Sequence, residues 1–258
     1  MLVDSHCHLE YKGLVEDQAG VLARAREAGV GAFLNISTKR AEWEQVVATA
    51  TREPDVFASV GIHPHEADPH EDLGRDVLLA TTESPRVIAI GETGLDYFYE
   101  HSDRDTQAKL FRMHIDVARE TGLPIIIHTR DAEDDTFEIL RDEMQKGAFP
   151  ALIHCFTASA KFGRKVLDLG LTISLSGIVT FKNAKDLQAA AQEIPEDRLL
   201  VETDSPFLAP VPNRGKVCEP AYVADTARFV AELRGTEPEK LADQTTANFK
   251  KLFSKAKL

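Results

Sequence analysis

Eight short apolar or β-branched runs punctuate this chain: Leu2 to Val3, Gly31 to Ile36, Val56 to Ile62, Val87 to Ile90, Pro124 to Ile127, Ala151 to Ile153, Leu171 to Leu175 and Leu199 to Val201. Such near-continuous hydrophobicity suits strands buried on both faces, as in a parallel sheet covered by helices. Between the runs lie segments with apolar residues at helical spacing, among them Leu14 to Ala28, Asp105 to Glu120, Glu133 to Lys146 and Ala160 to Leu169. Gly29, Gly122, Gly147 and Gly170 follow these segments, where left-handed helix caps are expected. A Pro-studded loop covers Ser205 to Pro220, and two closing helices, Ala221 to Leu233 and Pro238 to Asn248, should pack outside the last strand. Eight strand–helix units predict an α/β fold, a TIM (β/α)8 barrel. Because such a barrel takes about 250 residues, residues 1–258 are expected to form one domain. A doubly wound open sheet fits less well, since its first turn is Gly-rich where this chain has His6-Cys7-His8.

Barrel enzymes place their chemistry at the C-terminal ends of strands, and the ionisable residues of this chain collect at those ends. His6 and His8 end the first run; at i and i+2 in a strand their rings share a face while Cys7 turns away, a metal-binding arrangement. His63 and His65 follow the third run, Glu92 the fourth, His128 the fifth and His154 the sixth. Glu202 and Asp204 follow the eighth, again at i and i+2. Each has an ordinary explanation alone, as a hydrogen-bonded histidine at a strand end or a carboxylate capping a helix. Repetition at one end of so many strands removes that explanation for the set. His70, in a polar acidic stretch, His101, in a loop, and His114, within a helix pattern, read as incidental. His65 stays open, because Pro64 turns the chain between it and His63.

Composition narrows the class further. At 43% hydrophobic and 28% charged the chain matches a globular protein with a full core, and no apolar run approaches the length of a membrane span. A cleavable signal peptide would take His6 and His8 with it, so a cytoplasmic protein is expected. With 42 acidic and 30 basic residues the formal charge is −12, which repels long polyanions and requires any nucleic-acid substrate to be engaged locally. Cys7, Cys155 and Cys218 are too scattered for a disulfide framework or a CxxC zinc site, and Cys7 and Cys155 read as core fillers turned away from the neighbouring histidines.

The segments Asp4 to Leu9, Gly61-Ile62-His63-Pro64-His65, Gly91-Glu92-Thr93-Gly94-Leu95-Asp96-Tyr97, His128-Thr129-Arg130-Asp131-Ala132, His154-Cys155-Phe156 and Glu202-Thr203-Asp204-Ser205-Pro206-Phe207-Leu208 resemble, in order, the motifs of the TatD family of metal-dependent hydrolases. The family usually has Asn where this chain has Cys218. The resemblance implies a binuclear centre in an amidohydrolase-type barrel, with His6, His8 and Asp204 on one divalent ion, His128 and His154 on a second, and Glu92 bridging. Four imidazoles with two carboxylates suit Zn, Mn, Fe, Co or Ni, while the resemblance also admits Mg.

Hydrolysis is the implied reaction, because a divalent ion lowers the pKa of its water from 15.7 to about 7. Asp204 is the expected general base, and His63 and Arg130 the expected holders of phosphate oxygens. Arg130 has a second reading, an ion pair with Asp131, Asp134 or Asp135. Glu202 is read either as a ligand or as the residue that orients a ligand histidine. The implied substrate is DNA, cut from a 3′ end as a chain end or short single strand, with no membrane and no obligate protein partner. Tyr97, Phe98 and Tyr99 either stack on a terminal base or pack the loop Leu95 to Asp103. The rival activities for the same ligand set are an amidohydrolase and an aminoacyl-ester deacylase; a barrel that has lost catalysis and only binds is the third reading.

Overall fold

In the computed structural model, which describes residues 1–258, the eight runs become eight parallel strands, each paired with its neighbour in sequence. They are β1 (Leu2–Cys7), β2 (Val30–Asn35), β3 (Val56–Val60), β4 (Val87–Asp96), β5 (Ile125–Arg130), β6 (Ala151–Ile153), β7 (Thr172–Leu175) and β8 (Leu199–Val201). Helices α1 (Gln18–Glu27), α2 (Trp43–Arg52), α3 (Arg75–Thr81), α4 (Arg104–Thr121), α5 (Glu133–Lys146), α6 (Ala160–Asp168) and α7 (Lys185–Glu193) alternate with them. Helices α8 (Val223–Arg234) and α9 (Pro238–Leu252) follow the last strand. The TIM barrel read from the sequence is the fold observed. No helix is long and apolar enough to cross a membrane.

Local chemistry sets the element ends. Asp103 caps α4 by accepting from the backbone N–H groups of Asp105 and Thr106, and Ser159 caps α6 by accepting from Phe162. Leu14 to Asp17 lies outside α1, since residues Val15–Asp17 form a tighter 3-10 turn. Gly147 also departs from expectation, leaving α5 at φ 157° and ψ 136° instead of in the left-handed helical region.

Two clusters divide the interior. The larger lies between strands and helices and holds Cys7, Phe33, Val60, Ile90, Phe111, Ile127 and Val201. The smaller fills the lower barrel with Val3, Leu34, Phe57, Ile126, Leu152 and Leu200. Phe249 of α9 and Phe253, the residue that caps its end, belong to this inner cluster, so the end of α9 closes the barrel floor as well as packing outside it. Along β5, Ile125 and Ile127 face the helices and Ile126 the barrel axis, the period-2 alternation of a buried strand.

The seam between β8 and β1 positions much of the site. A parallel bridge joins Cys7 to Ser205, the Asp204 N–H donates to the His6 carbonyl at 2.9 Å, and the His8 N–H donates to the Ser205 carbonyl at 2.8 Å. Buried Asp4 fastens the two segments by accepting from the Thr203 N–H at 2.9 Å and the Thr203 hydroxyl at 2.6 Å. Burial pushes the Asp4 carboxyl up to about 8 against the pull of those hydrogen bonds. The β1–β2 register shifts between Asp4 and Cys7, which lets Val3 face the barrel floor while His6, three residues on, faces the mouth.

Candidate metal centre

Strand β4 runs past the apolar segment Val87 to Ile90 and carries Glu92 inside the sheet. Gly91 and Gly94 flank it at φ 128° and 139°, and a β-carbon on either would meet the carbonyl oxygen of Ile126 or His128. Glycine there is a packing requirement as well as a conformational one. Asp131, Cys155 and Asp204, just beyond β5, β6 and β8, also have positive φ, at 53°, 43° and 58°. Strained backbone of this kind concentrates at functional sites.

The side chains converge on Glu92, which is 3% exposed and presents one carboxylate oxygen to each of two groups. Its Oε2 stands 3.3 Å from His6 Nε2 and 3.9 Å from His8 Nε2. The same two imidazole nitrogens lie 3.6 and 3.3 Å from Asp204 Oδ1 and 3.3 Å from each other. On the other side, Glu92 Oε1 stands 2.7 Å from His154 Nε2, 3.1 Å from His128 Nδ1 and 3.5 Å from His63 Nε2. Donors around one four-coordinate ion with bonds of about 2.0–2.1 Å stand about 3.3 Å apart, and the spacings around His6, His8, Glu92 and Asp204 cluster near that figure. His154 Nε2 is buried without a hydrogen bond despite its closeness to Glu92, which suits a nitrogen aimed at a cation. The residues therefore fit a divalent metal.

Electrostatics agree. Burial opposes ionisation of Glu92, but the imidazoles of His154, His63 and His128 outweigh it and hold the carboxyl well below its usual range. Asp204, whose side chain is 15% exposed, is held low by His8 and His6 against the opposing effect of desolvation. Burial pushes His63 well below its ordinary value, leaving a neutral ring able to act as a ligand or acceptor.

Two buried carboxylates orient two of the rings. Glu202 stands 3.3 Å from His154 Nδ1 and accepts from the Ser174 hydroxyl, contacts that orient the ring, and its carboxylate also lies close enough to the His6 and His154 nitrogens to share an ion with them. Asp96 does the same for His128: its Oδ2 lies 3.0 Å from His128 Nε2 and 2.9 Å from His65 Nε2. Its Oδ1 accepts from the backbone N–H groups of Phe98 and Tyr99, both at 3.0 Å. Sequence reasoning gave Asp96 no role. Its spacing of four from Glu92 on an extended strand was the available signal, since such residues share a face. The same contacts place His65 at the site.

A cavity of about 760 Å³ opens above these groups and is lined by His63, Arg130, Tyr99, His101, Cys155 and Phe207, among others. Arg130 forms no ion pair with Asp131, Asp134 or Asp135; its guanidinium lies over the rings of Phe98 at 3.9 Å and Tyr99 at 4.7 Å. The aromatic loop divides by function: Tyr97 packs on the core and donates to Asp135 at 2.7 Å, while Phe98 and Tyr99 are exposed. Three readings need correction. His101 stands at the mouth, edge-on to His65 at 4.8 Å between ring centres. Cys155 does not turn away; its positive φ brings it to the cavity wall, with Sγ 3.1 Å from the Ser176 hydroxyl. His114 is structural, its Nδ1–H donating to the Leu110 carbonyl at 2.7 Å and its Nε2 accepting from the Ile62 N–H at 3.1 Å.

The profile of the family described as TatD related DNase matches residues 3–254. The chain belongs to the TatD family. Within it, the chain is 46% identical to the Escherichia coli K12 protein named uncharacterized metal-dependent hydrolase YcfH, with 98% of this chain and 95% of that protein covered. It is 33% identical to the Salmonella typhimurium protein named 3′-5′ ssDNA/RNA exonuclease TatD, with 98% of each covered. The crystal structure of the E. coli TatD homologue YjjV superimposes with a TM-score of 0.92 at 27% identity, covering 98% of both chains. This TatD-family member is thus a metal-dependent hydrolase, and its centre supplies the imidazoles and carboxylates that a divalent ion requires.

Proposed function

We propose that this TatD-family hydrolase is a 3′–5′ exonuclease acting on the ends of single-stranded DNA, with two divalent ions held in the barrel mouth. The observation that carries this reading is the division of Glu92: one oxygen faces His6 and His8, the other His128 and His154, beneath an open cavity walled by Arg130. His6, His8 and Asp204 would hold one ion, His128 and His154 the other, with Glu92 shared. The Salmonella relative named as a single-strand exonuclease supports the substrate class.

Divalent ions held by these residues would supply an acidified water and charge compensation for a phosphodiester under attack. This chain's own groups do the rest. Asp204 takes the proton of the attacking water, whose oxygen bonds to phosphorus as the bond from phosphorus to the 3′ oxygen breaks; that oxygen is protonated by solvent. His63 and Arg130 hold the non-bridging phosphate oxygens, and the stack of Arg130 on Phe98 and Tyr99 fixes its direction. Glu202 and Asp96 keep His154 and His128 in position. Four imidazoles in the donor set favour Zn, Mn, Fe, Co or Ni over Mg.

The test is hydrolysis of a panel of single-stranded DNA, RNA, a dihydropyrimidine and an aminoacyl-tRNA by protein reconstituted with each metal in turn. Release of 5′-mononucleotides from a 3′ end is the expected result. Intact DNA with every metal, beside cleavage of the cyclic amide or the aminoacyl ester, would overturn the nuclease reading in favour of an amidohydrolase or deacylase.

A further inference from the structure

Charge is distributed unevenly around the mouth. The loops after β3 and β4 carry Glu66, Asp68, Glu71, Asp72, Glu100 and Asp103, and neither residues 61–74 nor residues 97–103 include a lysine or arginine. Only Glu71 and Glu100 of these are paired, with Lys109 and Arg104. The loops after β7 and β8 are the opposite. They carry Lys182, Arg214 and Lys216, all exposed and without an ion pair. Apart from the site carboxylates Glu202 and Asp204, the acid there is Glu219, which Arg24 holds at 2.7 Å.

These two basic loops are locked together. The Arg214 guanidinium lies over the Phe181 ring at 4.1 Å, and the Val211 N–H donates to the Thr180 hydroxyl at 2.9 Å. On the same loop as Arg214 and Lys216, Phe207 is 49% exposed, on the cavity wall and edge-on to His8 at 6.3 Å. Tyr99, 48% exposed, lines the same cavity, with Arg130 on its ring. In a ring of eight strands in sequential order, β8 lies across from β4, so the two exposed aromatic rings flank Glu92 from opposite sides.

We infer that Lys182, Arg214 and Lys216 form a one-sided phosphate track that leads a single-stranded polynucleotide over Phe207 into the centre. The inference rests on the nuclease reading above. The body of the strand leaves across the β7 and β8 loops, one base stacks on Phe207, and the terminal nucleotide reaches past Glu92 to Tyr99 and Arg130. Beyond Tyr99 the carboxylates of the β3 and β4 loops repel any further phosphate. The strand therefore ends inside the mouth, and both platforms take unpaired bases, since a base in a duplex presents no free face to them. This reconciles an acidic protein with a polyanionic substrate: the cations of the mouth are few, and three unpaired ones lie together on the side from which the strand arrives, with Lys12 and Arg40 on the loops after β1 and β2.

Each phosphate neutralised on a single strand contributes about −0.7 to the slope of log affinity against log salt, so three give about −2. The experiment measures kcat/KM on dT12 and on the dinucleotide dTpdT from 50 to 200 mM salt, for wild type, K182A/R214A/K216A and the charge-preserving K182R/R214K/K216R. Wild type should lose about 20-fold on dT12 over that range, and the alanine variant less than about fourfold. The preference for dT12 over dTpdT should fall about tenfold or more in the alanine variant at low salt and return in the charge-preserving one. The double variant K182A/K216A keeps the Arg214 stack on Phe181 and should lie between. An alanine variant with the wild-type slope and the wild-type preference overturns the track, whereas wild type that cleaves neither substrate overturns the nuclease reading itself.

Discussion

The floor and the mouth of this barrel are built from the same strands and have opposite chemistry. At the floor, Val3, Phe57, Ile126, Leu152 and Leu200 pack with Phe249 and Phe253 into an apolar plug. A few residues further along the same strands, His6, Glu92, His128 and Asp204 crowd carboxylates against imidazoles in a buried space. Such an arrangement of ionisable groups is costly unless a cation or a hydrogen bond satisfies each of them. The floor can be rigid for its own sake, and its rigidity holds the mouth's donors at spacings they would not choose unaided. Substitutions in the two regions should accordingly separate stability from turnover.

The largest effect belongs to the mouth. Asp204→Asn should lower kcat by about 10²–10⁴-fold, measured on the substrate that wild type cleaves, with a thermal midpoint close to that of wild type. Equal loss of fold would show that the mouth is as structural as the floor. At the floor, Phe253→Ala should cost about 3–5 kcal/mol in denaturant unfolding and leave the kcat of the folded fraction near wild type.

His114 tests the boundary between the regions, since it supports the end of β3 from α4. Burial lowers its pKa from 6.5 to about 4. The unfolded chain therefore binds the proton more tightly, so the neutral ring favours the fold fully above pH 6.5, and this contribution is lost as pH falls toward 4. The difference amounts to about 3 kcal/mol across that window. His114→Gln should remove this part of the acid sensitivity in unfolding measured from pH 7 to pH 4; an unchanged pH profile would mean that the ring is not held neutral. The smallest effects are expected from the orienting carboxylates: Glu202→Gln and Asp96→Asn should each weaken metal binding by about 10–100-fold in a competition titration. His70→Ala is the control, its ring held by the Glu66 carbonyl away from the centre, and should leave metal affinity unchanged.

The contrast also explains what could be read in the sequence. The barrel was legible because a parallel strand buried on both faces must be apolar, and Ile125-Ile126-Ile127 shows it. The convergence of His6, His8, Glu92, His128, His154 and Asp204 was legible because ionisable residues at the ends of such strands have no place in a core. Asp96 was not, because Gly91 and Gly94 look like the end of a strand, whereas here they let β4 continue against the backbone of Ile126 and His128. Cys155 was misread for a similar reason, since a left-handed residue after β6 breaks the alternation that would have turned it away. The placement of His101 and Phe207 depends on loop packing across strands far apart in sequence, and no local pattern carries that information.

The central claim, that Glu92 joins two metal sites, is tested most directly by counting ions. After reconstitution and desalting, elemental analysis of wild type should give two divalent ions per chain. Glu92→Gln should retain at most one, with its secondary structure intact by circular dichroism. A single ion in wild type, or two ions retained equally well by the Glu92→Gln variant, would contradict the account.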